Sequence, residues 1–331
     1  MTNSEFDVVG IGNAIVDVLA QTEDAFLEDN ALSKGTMTII DAETAEALYE
    51  KMGNAIEVSG GSAANTIAGL CALGGKGAFI GKVRDDQLGN AFTRDIHAIG
   101  VHFDTLSKAV ETPTARSLIF VTPDAERTMQ TFLGACVELG PDDIDTDLIS
   151  KSAVTYLEGY LWDPPKAKEA FLKAAQAADS SGRKVALSLS DPFCVDRHRY
   201  EFLDLVTKHV NILFANEEEI KSLYQVDSFD EALQRVRGHC DMAALTRGDR
   251  GSVIVAGEDI HLVDAEKVDQ VVDTTGAGDA YAAGFLCGYT HGKNLHACAR
   301  LGGIAAAEII SHYGARPEAG LAEVAANILA E

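Results

Sequence analysis

The chain reads as an α/β protein: a doubly wound, mostly parallel sheet flanked by helices, carrying a small β-sheet lid. Three observations point there. Short apolar runs recur along the 331 residues, several of them near-continuous rather than alternating, as in strands covered by helices on both faces. Helical stretches separate the runs, and strand, helix, strand in repeated order favours parallel pairing. Two longer segments break this rhythm with β-branched residues and turns.

Taken in order, the strand runs are FDVVGIG from Phe6, GAFIGKV from Gly77, AVTYLEGY from Ala153, KVALSLS from Lys184, VNILFAN from Val210, DMAALTRG from Asp241 and SVIVAG from Ser252. Between them, AANTIAGLCALGG, PPKAKEAFLKAAQAADSSG and FDEALQRVRGHC have helical patterns. The two irregular segments, near residues 14–40 and 103–135, are expected to pair into one small second sheet. Neither an internal repeat nor a low-complexity linker interrupts the chain, so residues 1–331 are expected to form one domain with the lid inserted.

Acidic side chains number 51 against 27 basic ones, a net charge of −24. Such a surface cannot neutralise nucleic-acid phosphates and is repelled by anionic membranes. A phosphate ligand would therefore need local positive potential from backbone N–H groups, a few arginines or a metal. Six cysteines without a C-x-x-C pair read as reduced thiols, as in a cytosolic protein. The N-terminal run has no signal-peptide pattern and no stretch approaches membrane-spanning length, so a soluble, cytoplasmic protein is expected. The nine histidines, His291 and His312 included, form no cluster and read as surface or cap residues.

Gly10-Ile11-Gly12 follows a strand, but Ile15 stands where a dinucleotide fingerprint needs its third glycine. That reading is set aside, and no P-loop is present. GGSAANTIAGL, from Gly60 to Leu70, brings two glycines to a helix start with Ser62 as the candidate cap and Asn65 on the first turn. A tight turn and a ligand site explain it equally well. DTTGAGDAYAAGF, from Asp273 to Phe285, is more demanding. N–H groups from Thr275 through Gly276 and Ala277 to Gly278, at a helix N-terminus, would cradle an anion. Asp279 beside that cradle would repel an anion, yet would suit the hydroxyl of a phosphoryl acceptor.

These two stretches resemble the signatures of the ribokinase-like (PfkB) carbohydrate kinase family, and the resemblance spans essentially the whole chain. It implies a kinase using ATP and Mg²⁺, with Asp279 as catalytic base and the Gly276, Ala277 and Gly278 amides as the anion hole. One departure is Arg84 in GKVRDDQLG, where the family often has glycine. NEEE, from Asn216 to Glu219, resembles the family's N-x-x-E element and implies a magnesium–phosphate role for Asn216 and Glu219; an acidic helix start accounts for it without a ligand. The resemblance places Thr246 and Gly248 near ATP. It gives Asp273 and Thr275 a part in binding a monovalent cation such as K⁺ in some members.

GNAIVD, LSLSDPF and RTMQTFLGAC resemble the adenosine kinase branch. That implies Asp17 on the ribose hydroxyls with Asn13 close by, Asn65, Gly60 and Gly61 completing the clamp, and Arg127 as a lid arginine reaching the phosphates. Leu161 aligns near an aromatic that packs on the nucleobase, with Tyr160 or Trp162 as alternatives. The expected reaction is ATP-dependent phosphorylation of adenosine at its 5′-hydroxyl. A sugar or another nucleoside is the runner-up acceptor, and a silent nucleoside-binding regulator the third reading. The protein is expected to act as a monomer or homodimer.

Overall fold

Apolar runs become the strands of an eight-stranded sheet in this computed structural model, which describes residues 4–104, 110–124, 126–318 and 320–330. Its members are β1 (Phe6–Ile11), β5 (Gly77–Ile80), β8 (Ser152–Glu158), β9 (Lys184–Ser188), β10 (Ile212–Asn216), β11 (Met242–Thr246), β12 (Ser252–Ala256) and β13 (Asp259–Val263). They lie in the order β13-β12-β11-β10-β9-β8-β1-β5. The six from β5 to β11 pair in parallel, and β12 and β13 close one edge antiparallel.

The near-continuous apolar pattern has a direct cause. Ile212 and Phe214 face one helical layer with Phe285 and Leu286, while Leu213 and Ala215 face the other with Phe171 and Phe202. Successive side chains of a strand point to opposite faces, so a strand covered twice has no polar face to show.

A second sheet holds β2 (Ile15–Gln21), β3 (Met37–Ile39), β4 (Ile56–Gly60), β6 (Ala115–Val121) and β7 (Arg127–Phe132), in the order β3-β7-β6-β2-β4. Two details differ from expectation. A helix, Asp24–Asp29, interrupts the first irregular segment. Strand β4 falls outside both segments and joins the sheet at its edge, antiparallel to β2. Residues 105–109 and 125 of the second segment lie outside the described residues. In β2, Val16, Val18 and Ala20 are buried, while Asp17 alternates onto the opposite face. That alternation aims a carboxylate out of a half-buried strand.

No helix among the described residues is long and apolar enough to cross a membrane, and the six cysteines are unpaired.

Candidate active site

A cavity of about 880 Å³ opens between the two sheets, at the carboxyl ends of the parallel strands, where ligands of open α/β sheets bind. Helix Ala277–Thr290 starts on its wall. Gly276 caps it at φ +80°, with Ala315 standing 2.5 Å from where a Cβ would be, so only glycine fits this left-handed corner. Thr275 N–H donates to Asp273 Oδ1 at 3.0 Å, and Ala277 N–H to Thr274 O at 3.2 Å. The expected cradle is therefore narrower by these two donors. The N–H groups of Gly276, Gly278 and Asp279 keep no protein acceptor among the described residues, and they carry the positive end of the helix dipole.

Asp279 lies on the first turn. Ser62 Oγ donates to its Oδ1 at 2.6 Å and Asn65 Nδ2 to its Oδ2 at 3.3 Å. Burial pushes its carboxyl up to about 6, against these two hydrogen bonds and the charge of Arg316. Ser62 is thus not the helix cap. Gly61 occupies that position, and no side chain caps the helix, which frees the Ser62 hydroxyl for Asp279. Asn65 Oδ1 is buried without a partner, an acceptor that a ligand hydroxyl would satisfy.

Asp17 reaches the same cavity from β2. A Cβ on Gly60 would sit 2.5 Å from its Oδ2, so the missing side chain makes room for the carboxylate. Burial raises Asp17 to about 6, opposed by Arg316 and then Arg127. Gly61 lines the cavity with Asn13, and Asn13 Nδ2 donates to Glu158 Oε1 at 2.6 Å. Sequence reasoning missed Glu158. Its Oε2 accepts Ala63 N–H at 2.8 Å, and burial lifts it to about 7. The available signal was a lone carboxylate closing the apolar run AVTYLEG. Its contact with Gly12 explains half of the glycine pair near the N-terminus.

Asn216 and Glu219 line the cavity and also cap each other's backbone: Asn216 Oδ1 accepts Glu219 N–H at 2.9 Å, and Glu219 Oε2 accepts Asn216 N–H at 2.9 Å. Both readings of NEEE thus describe the same residues. Burial raises Glu219 to about 7. With each oxygen already accepting once, the pair suits a metal held through water better than direct ligation. Among the described residues, no group of three or more His, Cys, Asp or Glu is placed to hold a metal ion. Thr246 and Thr275 line the cavity as well.

Four placements depart from expectation. Leu161 is 1% exposed inside the core, because a 3-10 turn over Gly159–Trp162 turns it inward. Trp162 is buried on Phe171 and Phe202, so Tyr160, 45% exposed, is the residue of this trio that lines the cavity. Arg127 does not reach into the cavity: its Nη1 pairs with Asp273 Oδ2 at 2.8 Å, and its guanidinium lies over the Tyr313 ring. Asp273 is correspondingly occupied, since it also accepts the Thr275 and Gly314 N–H groups. The carboxylate expected to help bind a monovalent cation is thus taken up by an arginine and two backbone N–H groups. Gly248 turns the exposed β11–β12 connection at φ +59° and is not on the cavity wall.

The model of the pfkB family carbohydrate kinases matches residues 35–319. The crystal structure of adenosine kinase from Sinorhizobium meliloti is 53% identical and superposes with a TM-score of 0.89 over 98% of this chain and 99% of that one. A probable sugar kinase from Rhizobium etli CFN 42 is 53% identical with the same TM-score over 98% of each chain. An uncharacterized sugar kinase of Archaeoglobus fulgidus is 30% identical over 75% of this chain and 96% of its own. Fold, match and neighbours agree: this chain belongs to the PfkB family of carbohydrate kinases and is a sugar or nucleoside kinase, a phosphotransferase with an alcohol group as acceptor.

Proposed function

We propose that this kinase transfers the γ-phosphoryl group of ATP to the 5′-hydroxyl of adenosine. The observation that carries this choice is the apolar wall that the second sheet gives the cavity. Met37 and Ile39 line it at 55% exposure each, near Ile15 and Leu133. A free sugar would satisfy the polar end and leave this wall wet. A nucleobase would cover it, and burying about 100 Å² of apolar surface is worth ~2.5 kcal/mol.

In this reading Asp17 accepts the ribose diol, with Asn13 and Asn65 beside it, and Asn65 Oδ1 gains the donor it lacks. The 5′-hydroxyl then meets Asp279, which takes its proton as the bond to phosphorus forms. A weak base serves here, because the loose transition state demands positioning first and proton removal late. The free N–H groups of Gly276, Gly278 and Asp279 face the charge on the transferring group. Mg²⁺, which kinases of this family use with ATP, would offset the phosphate charge, held through water by the Asn216 and Glu219 oxygens. The second sheet would act as the lid that excludes water.

The sugar-kinase reading draws support from the Rhizobium etli neighbour, which matches as well as the adenosine kinase does. A competition assay decides between them. Adenosine, guanosine, ribose and fructose at equal concentration should be phosphorylated with adenosine far ahead of both sugars and guanosine between. Ribose or fructose outrunning adenosine overturns the proposal.

A further inference from the structure

Arg316 is half-buried, held by geometry rather than by local sequence. Its Nε and Nη2 donate to Ser59 O at 3.0 and 2.8 Å, Nη2 also reaches Ser59 Oγ at 3.1 Å, and Nη1 donates to Ala64 O at 2.9 Å. Ser59 and Ala64 bracket the turn that carries Gly60, the seat of Asp17, and Ser62, the partner of Asp279. The two residues before Arg316 hold the other half of the site. Ala315 packs into the space above Gly276, and Gly314 N–H donates to Asp273 at 3.0 Å. Three consecutive residues thus join the acceptor-clamp turn to the anion loop.

We propose that Arg316 is a positioning residue, which locks the Ser59–Ala64 turn against the anion loop and sets a fixed positive charge behind the Asp17 and Asp279 carboxylates. Burying a guanidinium is costly unless its donors are satisfied and carboxylates face it. Both conditions hold. Burial lowers its pKa to about 10, with Asp17, Asp279, Asp95 and Cys71 pulling the other way, so it stays charged at neutral pH. Asp279 is faced by Ser62, Asn65 and Arg316, and its own charge is felt by Glu158, Glu219, Tyr156 and Tyr160. Asp17 is faced by Arg316 and Arg127. In a cavity this acidic, the charge of Arg316 favours the ionised form that each carboxylate needs.

This role rests on the proposed kinase chemistry of Asp279, and the test separates the two. Steady-state kinetics of wild type, Arg316→Gln and Arg316→Lys are followed from pH 5.5 to 9, with whichever acceptor of the panel wild type uses best. Arg316→Gln should move the acidic limb of kcat/KM upward by about one pH unit, a roughly fivefold loss at pH 6 that fades above pH 8, on top of the pH-independent loss of the fork that it shares with the lysine variant. Arg316→Lys keeps the charge but cannot fork between Ser59 O and Ala64 O. Its limb should stay within a few tenths of wild type while the acceptor KM rises about tenfold. If Arg316→Gln fails to fold, the lysine variant and its split between KM and pH limb decide alone. An unmoved acidic limb in Arg316→Gln, an unchanged acceptor KM in Arg316→Lys, or wild-type kinetics in both overturns the role of Arg316. A sugar as best wild-type acceptor overturns only the adenosine assignment.

Discussion

Asp279→Asn should give a protein that is at once inactive and more stable. The carboxylate is half-buried on the cavity wall, and the rise of its pKa from 3.8 to about 6 costs the folded state about 3 kcal/mol at alkaline pH. Asparagine removes that cost. It exchanges the charged hydrogen bond from Ser62 for a neutral one, a loss of about 1 kcal/mol, and finds a new partner. Asn65 Oδ1, unpartnered in the native protein, can accept from the new amide after the Asn65 side chain turns over. The balance is about 2 kcal/mol of stabilisation, or about 3 °C in Tm for a chain of this length. The sign with pH follows from a folded pKa raised above the unfolded one. Wild type carries the full penalty above about pH 6 and sheds it as the pH falls toward 4. The advantage of the variant should therefore be largest at pH 8, fall to roughly a third at pH 5 and vanish before pH 4. Turnover should drop by roughly 10²–10⁴, the scale of losing a general base. Thermal unfolding at pH 8 and pH 5 and a coupled ADP-release assay measure both. A variant that keeps a tenth of wild-type turnover refutes the base assignment; one that melts several degrees lower at pH 8 refutes the burial argument.

Two further outcomes concern the same cavity. Asp17→Ala should weaken adenosine binding by ~1.5–3 kcal/mol, the range for hydrogen bonds to a charged group, with ATP affinity nearly unchanged; calorimetry showing equal losses for both ligands would point to a folding defect instead. Ser62→Ala removes the 2.6 Å bond to Asp279 and should raise the acidic limb of kcat by about one pH unit, whereas an unshifted limb would return Ser62 to a structural role.

Much of this protein was legible without its structure because the signals are local. A strand covered on both faces announces itself as an apolar run, as ILFA in β10 does. A glycine held at positive φ under a neighbouring side chain, as Gly276 is, has to be written into the sequence wherever the fold needs it. The Asp273–Phe285 stretch and the Gly60–Leu70 stretch were readable for that reason.

The partners of these residues were not legible, because they are set by which distant segments the sheets bring together. Ser62 has the look of a helix cap until Asp279, 217 positions away, arrives to take its hydroxyl. Arg127 and Asp273 satisfy each other, so neither has the free charge that its motif suggested. Past the last residue of β8 the chain leaves the strand period for a 3-10 turn, and only the packing of Leu161 and Trp162 against the core decides that Tyr160 meets the cavity. Local residue types determined where the backbone could bend and where apolar surface had to be covered. Long-range packing decided which polar groups would be buried together, since burial, not residue type, moves Asp17, Glu158, Glu219 and Asp279 away from ordinary carboxylate behaviour.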